Sequence, residues 1–273
     1  MFPYIEVFGF RIYMYGLFAV LGLAAAGLLV WRLSKRRKVD PERFFPLAIA
    51  VLIGLFVGAH LLFAITNIPF AVRVLQDFDA YTRQGYDIWS FLGAWFGGMV
   101  FYGGLLGGLA GGAIYAKLWR LDLSHYADVF VPAIPLFHAF GRVGCFLSGC
   151  CFGVECPIGW EYPAGSPAAG APRFPVQLLE SGLNLLLCAV LVVMVYKTAR
   201  RGLILQTYLM AYSVVRFFDE FLRGDALRGV WGPFSTSQWI SLALFFGVLV
   251  WMATAAVRRR GQGDKARADD LES

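Results

Sequence analysis

The chain of 273 residues is 59% hydrophobic and only 15% charged, and its mean hydropathy is +0.63. Soluble domains carry about 25% charged residues, so this composition excludes an ordinary soluble enzyme and a large extramembrane domain. The net charge of +6 could indicate nucleic-acid binding, but the basic residues cluster in alternate loops, as they do in membrane proteins. We therefore expect an integral membrane protein that contacts anionic lipid and no nucleic acid.

Seven apolar stretches each approach the roughly 20 residues that a membrane-spanning helix needs. Hydrophobic periodicity predicts helices at about 12–31, 44–65, 91–116, 126–147, 177–196, 203–223 and 237–257. The expected fold is an all-α polytopic membrane protein of about seven transmembrane helices, forming a single transmembrane domain over residues 1–257. The longer connections, at about 66–90 and 147–176, are expected to form a small outer-face region, the second one irregular. The basic and then acidic tail, 258–273, is expected to be cytoplasmic and disordered.

The distribution of basic residues predicts how the chain is oriented. Most of the 24 Lys and Arg follow the first, third, fifth and seventh predicted spans, beginning with the run WRLSKRRK at Trp31–Lys38. Cytoplasmic loops carry such an excess, so the N-terminus is expected outside and the C-terminus in the cytoplasm. No basic region precedes the first apolar run, and no small-x-small cleavage site follows it, so that span is expected to be retained.

The third predicted span is rich in glycine and reads GGMVFYGGLLGGLAGG over residues 97–112. Gly103, Gly107 and Gly111 share one helix face, which is a small-xxx-small pattern. Tight packing against another helix is expected, although glycine also allows close approach of a lipid. The lone His60, midway along the second span, has two interpretations: a hydrogen-bonded structural histidine or a cavity residue.

Charged and polar side chains within predicted spans are the strongest functional signal. A charge at mid-membrane costs at least roughly 2.5–3.5 kcal/mol, so each one needs a reason. Residues three or four positions apart share one helix face, and three predicted helices carry such polar faces. Their members are His138 and Arg142, then Gln177, Glu180 and Asn184, and then Arg216, Asp219, Glu220 and Arg223. Any single pair could be a structural ion pair, but three such faces predict a polar, water-accessible cavity.

The arginines indicate what such a cavity would hold. Arg142, Arg216 and Arg223 lie near the outer ends of their predicted spans. A guanidinium group binds phosphate through two parallel hydrogen bonds, so a phospholipid headgroup fits this chemistry.

Residues 138–153, HAFGRVGCFLSGCCFG, resemble the signature of the prolipoprotein diacylglyceryl transferases, G-R-x-G-N-F-x-x-G-E-x-x-G. The matching positions are Gly141, Arg142, Gly144, Phe146, Gly149 and Gly153. Further motifs follow in the family's order over nearly the whole chain. Tyr15-Gly16-Leu17 is similar to Y-G-L, and Tyr102-Gly103-Gly104 is similar to H-G-G. Phe174-Pro175-Val176-Gln177 with Glu180 is similar to H-P-[ST]-Q-L-Y-E. Arg216 with Glu220-Phe221 is similar to R-x-x-x-E-F, and Ser237-Gln238 is similar to the closing S/G-Q.

The resemblance implies an enzyme of the bacterial inner membrane. It would move the diacylglyceryl group of phosphatidylglycerol onto the lipobox cysteine thiol of a preprolipoprotein and release glycerol phosphate, with no cofactor and no metal. Arg142 would bind the headgroup phosphate, and Arg216, oriented by Glu220, would bind or position the leaving group. The other expected substrate-binding residues are Tyr15, Gly103, Gly104, Gly153, Gln177, Glu180 and Arg223.

The chain departs from the family's pattern at four positions. Tyr102 stands in place of the H-G-G histidine, and Phe174 in place of the H-P-S-Q histidine. Cys145 and Cys150 replace the signature asparagine and glutamate. Tyrosine, with an ordinary pKa of about 10, is a poor base at neutral pH, so His138 is a candidate for the missing catalytic base. The alternatives are that Tyr102 only hydrogen-bonds substrate, or that the chain is a divergent paralogue with reduced or different activity.

Four of the five cysteines crowd together at the expected outer face: Cys145, Cys150, Cys151 and Cys156. An oxidising compartment favours disulfides, so one or two structural disulfides are expected. Free thiols, a metal site and redox catalysis are the alternatives, and the spacing C-x4-C-C-x4-C matches no common zinc pattern.

Two rival functions remain at this point. A non-catalytic phospholipid-binding protein would keep the arginines and tolerate loss of the base. A membrane thiol–disulfide oxidoreductase would use the cysteines, but it would be expected to carry a C-x-x-C pair, which this sequence lacks.

Overall fold

The computed structural model is mostly helical and describes residues 3–7, 9–163, 166, 168–198, 200–224 and 230–272. Its α-helices are α1 Met14–Arg37, α2 Pro41–Thr66, α3 Ile68–Gln76, α4 Phe78–Arg83, α5 Ile88–Phe96, α6 Phe101–Leu118, α7 Leu123–Phe130, α8 Ala133–Ser148, α9 Val176–Lys197, α10 Leu203–Asp219 and α11 Thr236–Glu272. The short strands are β1 Tyr4–Val7, β2 Phe10–Tyr13, β3 Glu155–Trp160, β4 Val230–Trp231 and β5 Phe234–Ser235. β1 pairs antiparallel with β2, and β4 with β5.

Several of these helices are long and apolar enough to cross a membrane. Within the described residues these spans are Met14–Arg37, Glu42–Thr66, Leu123–Ser148, Val176–Lys197 and Thr236–Ala255. The bent pair α5 and α6 adds one more. The prediction of a polytopic helical membrane protein is confirmed. The remaining predicted span, 203–223, corresponds to α10, which has 17 residues and carries Arg216 and Asp219, so it is shorter and more polar than the other spans.

The third predicted span, 91–116, is not one helix. The axes of α5 and α6 differ by 86°, and Gly97 and Gly98 lie in the break. Glycine has a low helix propensity, so interrupting the helix there costs little free energy. The last carbonyl of α5, that of Phe96, lies 2.7 Å from Nδ1 of His60. A carbonyl that helix α5 leaves unsatisfied therefore has a partner, and the interpretation of His60 as a hydrogen-bonded structural histidine is confirmed.

The chain divides into two compact units, where the sequence analysis expected one transmembrane domain. The internal unit is Lys38–Tyr126, and in it α2 packs along α6. Gly54 and Gly58 on α2 face Gly103 and Gly107 on α6, and a Cβ added to any of the four would collide with the backbone of the opposite helix. The predicted tight packing through glycine is confirmed.

The terminal unit consists of Met1–Arg37 and Ala127–Ser273. In it α1 and α9 pack on α8, and α10 packs on α9 and α11. This arrangement turns the polar faces of α8, α9 and α10 inward, because Arg142, Glu180 and Arg216 are all buried.

The connections and the tail differ in part from expectation. The connection predicted at about 66–90 is largely helical, since it holds α3, α4 and the start of α5. The connection at 147–176 is mostly irregular, as predicted, and contains β3. Helix α11 continues to Glu272, past the end predicted at residue 257, and the separate disordered tail stays a prediction.

Candidate functional site

A buried carboxylate on α9 joins two side chains of α8. Glu180 lies with its Oε1 and Oε2 atoms 2.8 and 2.6 Å from Nη2 of Arg142. Its Oε1 atom is also 3.3 Å from Nε2 of His138. The side chain of Glu180 is 2% exposed and that of Arg142 10%. Because an isolated buried charge is very unfavourable, each of these two ions makes the other tolerable in the helix interior.

Arg216 on α10 forms a second cluster of charges. Its Nη1 atom donates to Oδ2 of Asp219 at 3.2 Å, and its Nη2 atom lies 2.9 Å from Oε2 of Glu220. Nη2 also donates to the hydroxyl of Ser237, the second residue of α11, at 3.3 Å. Spacings of three and four residues put both carboxylates on the arginine's face of the helix. These contacts orient the Arg216 guanidinium, and Glu220 lies beside it, as the four-residue spacing predicted.

The formal charges of the two clusters and of the neighbouring Arg223 balance. Three arginines and three carboxylates approach one another in the terminal unit: Arg142, Arg216, Arg223, Glu180, Asp219 and Glu220. The arginine positions in the sequence predicted a phosphate-binding site, and the matching number of buried carboxylates is a finding of the structure. Arg142 nevertheless keeps a donor available, since its buried Nε atom has no hydrogen-bond partner among the described residues.

Gln177 joins α9 to the loop that follows α8. Its side chain is fully buried, and its Nε2 atom donates to the carbonyl of Cys150 at 2.8 Å and to the hydroxyl of Tyr162 at 3.1 Å. The structure thus uses this amide to hold the Cys150 loop against α9. Tyr162 was missed by sequence reasoning, because it lies in an irregular connection where no periodicity indicates which residues are buried.

Gly153 and Arg223 meet through their backbones. They form an antiparallel bridge, and a Cβ on Gly153 would collide with the carbonyl oxygen of Phe174. Close packing of three chain segments is therefore enough to explain why glycine stands there. Tyr15, at the start of α1, lies beside α8, since a Cβ on Gly144 would come within 3.2 Å of its Cα atom.

Most of the predicted site residues are thus in the terminal unit, and three are not. Tyr102, Gly103 and Gly104 belong to the internal unit, where they lie buried at the start of α6. Gly103 packs against the backbone of Gly58, whereas a Cβ on Gly104 would make only ordinary contact with Leu55, at 3.4 Å.

Three of the four predicted disulfide cysteines cluster where α8 ends. The Sγ atoms of Cys145, Cys150 and Cys151 lie within 4.8 Å of one another, and Cys156 lies apart in β3. All five cysteines are in the described part of the chain and are free thiols, so the expected disulfides are not formed in this structure. Hydrogen bonds from the Cys145 and Cys150 thiols lower the pKa of Cys151 far below its ordinary value, while those with Cys145 and Cys151 raise the pKa of Cys150.

The end of α8 brings these thiols together. Gly149 ends the helix in the left-handed conformation, with φ at 71°, which suits glycine. The next residue, Cys150, then turns back so that its amide donates to the carbonyl of Cys145 at 3.1 Å. The crowding of cysteines is visible in the sequence, but their spacing does not indicate which three would meet.

Together, the spans and the buried arginine–carboxylate clusters define a polytopic membrane protein with a charged site among its helices. The family model described as prolipoprotein diacylglyceryl transferase matches residues 3–254. The chain belongs to that family.

Named relatives are similar over nearly their whole length. The phosphatidylglycerol–prolipoprotein diacylglyceryl transferase 2 of Clostridium perfringens is 34% identical, covering 95% of this chain and 98% of the relative. The phosphatidylglycerol–prolipoprotein diacylglyceryl transferase of Clostridium tetani is 35% identical, covering 90% and 94%. The enzyme of the same name from Geobacter sulfurreducens is 31% identical, covering 95% and 98%.

Proposed function

We propose that this chain transfers the diacylglyceryl group of phosphatidylglycerol to a cysteine thiol of a prolipoprotein and releases glycerol phosphate. The observation that carries this proposal is the state of Arg142: it is buried, paired with the single carboxylate of Glu180, and has an Nε donor without a partner among the described residues. A buried guanidinium with a donor to spare is suited to bind a phosphate oxygen through a charge-assisted hydrogen bond. The relatives' names specify the same lipid and the same protein substrate.

The two arginine clusters suit different tasks in this reaction. Arg142 has a donor left for the headgroup phosphate, so it binds the lipid and stabilises the charge that grows on the departing phosphate. Arg216 already has Asp219 and Glu220 as partners. It therefore positions the leaving group from a fixed orientation, and its carboxylates prevent excess positive charge from holding the released glycerol phosphate.

The chemical step is an alkyl transfer. The sulfur of the substrate cysteine forms a bond with the terminal glyceryl carbon while the bond from that carbon to the phosphate oxygen breaks. Because a free thiol is only a few per cent thiolate at neutral pH, a base that takes the thiol proton speeds the attack. The released phosphate keeps the electron pair of the broken bond.

We assign the base to His138. Its Nε2 atom faces Glu180 Oε1 at 3.3 Å, and a proton held on Nε2 by the carboxylate leaves the lone pair of the ring on Nδ1. A carboxylate that fixes the tautomer and orientation of a histidine is a recurring device in nucleophile activation. Tyr102 would then only hydrogen-bond substrate.

Transfer to a synthetic lipobox peptide tests the function. Purified protein is incubated with phosphatidylglycerol and the peptide, and the peptide mass is measured. We expect the diacylglyceryl mass shift with the cysteine peptide and no shift with its serine counterpart or with diacylglycerol in place of phosphatidylglycerol, because diacylglycerol lacks the phosphate leaving group. Saturable binding of phosphatidylglycerol without any transfer would support the non-catalytic lipid-binding alternative instead.

The site is further proposed to lie toward the outer side of a bacterial inner membrane, with the C-terminus in the cytoplasm. The support is the excess of Lys and Arg after alternate spans. In a cysteine-free background, a cysteine at Ile158, which is 92% exposed in β3, should react with an impermeant thiol reagent in intact cells. A cysteine at Arg36, at the end of α1, should be protected. The reverse pattern would invert the proposed topology.

A further inference from the structure

The three-thiol cluster at the end of α8 has no part in the proposed transfer. Cys145 is buried, Cys150 and Cys151 are partly buried, and their Sγ atoms lie within 4.8 Å of one another. The family signature has asparagine and glutamate at the first two of these positions. The cluster is therefore not part of that signature, and the transfer step proposed above uses none of its thiols.

The separation of the sulfur atoms fits a single metal ion. Thiolates bind such ions at about 2.3 Å, so three sulfurs around one ion in a plane stand about 4.0 Å apart. The observed limit of 4.8 Å allows that geometry after small side-chain rotations. Three thiolates without a histidine or a carboxylate form a soft ligand set, which favours Cu(I) over Mg²⁺, Ca²⁺ or Mn²⁺. Tetrahedral zinc takes a fourth protein ligand in structural sites, and the described residues offer three in this cluster.

The surrounding structure holds the loop that carries the thiols in place. The Cys150 amide donates to the carbonyl of Cys145 at 3.1 Å, and the Cys150 carbonyl accepts from Gln177 at 2.8 Å. Two positive charges, Arg142 and Arg223, act on Cys151. A complex of one Cu(I) ion with three thiolates has a net charge of −2, and the nearby arginines lower the cost of that charge in part, since Arg142 also pairs with Glu180.

We propose that Cys145, Cys150 and Cys151 form a binding site for one soft, thiophilic metal ion of the Cu(I) type. On binding, each of the three sulfur atoms forms a bond to the same metal ion, and the thiol protons are released to solvent. This site does not depend on the proposed transferase activity.

Titration of the reduced, full-length protein in detergent with Cu(I), buffered by bicinchoninate under anaerobic conditions, tests the site. We expect one ion bound per chain, with sulfur-to-copper charge-transfer absorption in the near ultraviolet. Removing a hydrogen-bond partner of a metal ligand weakens metal binding about 10- to 100-fold. Removing the ligand itself has a larger effect, so Cys145→Ser, Cys150→Ser and Cys151→Ser should each weaken Cu(I) binding by about 100-fold or more. Cys156→Ser and Cys188→Ser, which lie outside the cluster, are the matched controls and should bind as the wild type does.

A second measurement on the wild-type chain avoids variants that fail to fold. One equivalent of Cu(I) should protect Cys150 and Cys151 from alkylation, as mapped by peptide mass spectrometry, while Cys156 stays reactive. The proposal is overturned if Cu(I) binds equally well to Cys151→Ser, or if Cys156 is the protected thiol. It is also overturned if the reduced protein binds no Cu(I), in which case a disulfide among these cysteines, seen as a loss of two hydrogens in the mass of the untreated protein, would be the better account.

Discussion

The two units of this chain are built from similar apolar helices, but these helices bury different groups. In the internal unit, Lys38–Tyr126, glycines let the backbones of α2 and α6 approach closely. In the terminal unit, α8, α9 and α10 bury arginines and carboxylates in pairs. Close glycine packing is a common source of stability in membranes, whereas buried ion pairs are weak evidence for stability. From this comparison we expect the chemical step to take place in the terminal unit and the glycine face of α2 and α6 to contribute mainly to stability.

The largest expected effect is that of Arg142→Ala on transfer. The substitution removes the donor to the phosphate and leaves the buried Glu180 carboxylate without its arginine partner, a change that destabilises by about 3–5 kcal/mol. We expect no measurable transfer and reduced thermal stability. Arg142→Lys keeps the charge but loses the Nε donor to the phosphate, and should lower turnover by roughly 10- to 100-fold.

A paired variant separates the chemical role of the Arg142–Glu180 pair from its structural one. Arg142→Gln combined with Glu180→Gln removes both charges, so stability should recover relative to Arg142→Ala while transfer stays absent. Transfer by this double variant at near wild-type rate would show that the ion pair is structural. The expected difference between a chemically active terminal unit and a packing internal unit would then lose its main support.

The second effect concerns the base. His138→Gln keeps a polar side chain beside Glu180 but has no basic nitrogen, so turnover should fall by about 100-fold or more, in line with general-base catalysis. Tyr102→Phe, in the internal unit, should change the KM for lipid more than turnover. Measuring kcat and KM for both variants over a range of pH distinguishes the assignments, and a larger fall in kcat for Tyr102→Phe would move the base to α6.

The third effect tests the supporting role of α2 and α6. A Cβ on Gly58 would collide with the carbonyl of Gly103, so Gly58→Ala should separate the helices and destabilise the protein by about 1–3 kcal/mol. Gly93→Ala in α5 is the matched control, since its Cβ would meet no atom within 4 Å. Thermal unfolding in detergent measures both. Equal stability of the two variants would contradict the packing role of this glycine face.

Sequence periodicity could predict the spans, the glycine face and the three polar stripes, because each depends on residues within one helix. Glu180 illustrates the limit of that reasoning. Its place on the face of α9 follows from spacing, but its pairing with both Arg142 and His138 depends on how α8 packs on α9. Spacing alone does not contain that information.

The break between α5 and α6 and the three-thiol cluster escaped prediction for a related reason. A run of glycine and apolar residues fits a continuous transmembrane helix, and it is the contact of His60 with the Phe96 carbonyl that supports the interruption. The thiols meet where Gly149 ends α8 in the left-handed conformation and the chain turns back. Both features depend on a local change of direction, which hydrophobic periodicity does not encode.

The smallest expected effect is that of Tyr162→Phe, which tests whether Gln177 acts as a structural link between α9 and the Cys150 loop in the terminal unit. Burial raises the pKa of Tyr162, so its hydroxyl is protonated at neutral pH and lies 3.1 Å from Gln177 Nε2. Removing the hydroxyl takes away the hydrogen bond that it accepts from Gln177 Nε2 and the longer one, 3.4 Å, that it donates to Gln177 Oε1. Gln177 keeps its bond to the Cys150 carbonyl. We expect a loss of about 0.5–1.5 kcal/mol in stability and transfer within about twofold of wild type. Gln177→Ala, which removes both contacts and leaves the Cys150 carbonyl without its partner, should cost more stability than Tyr162→Phe. A strong loss of transfer in Tyr162→Phe at unchanged stability would instead place the tyrosine hydroxyl in contact with substrate.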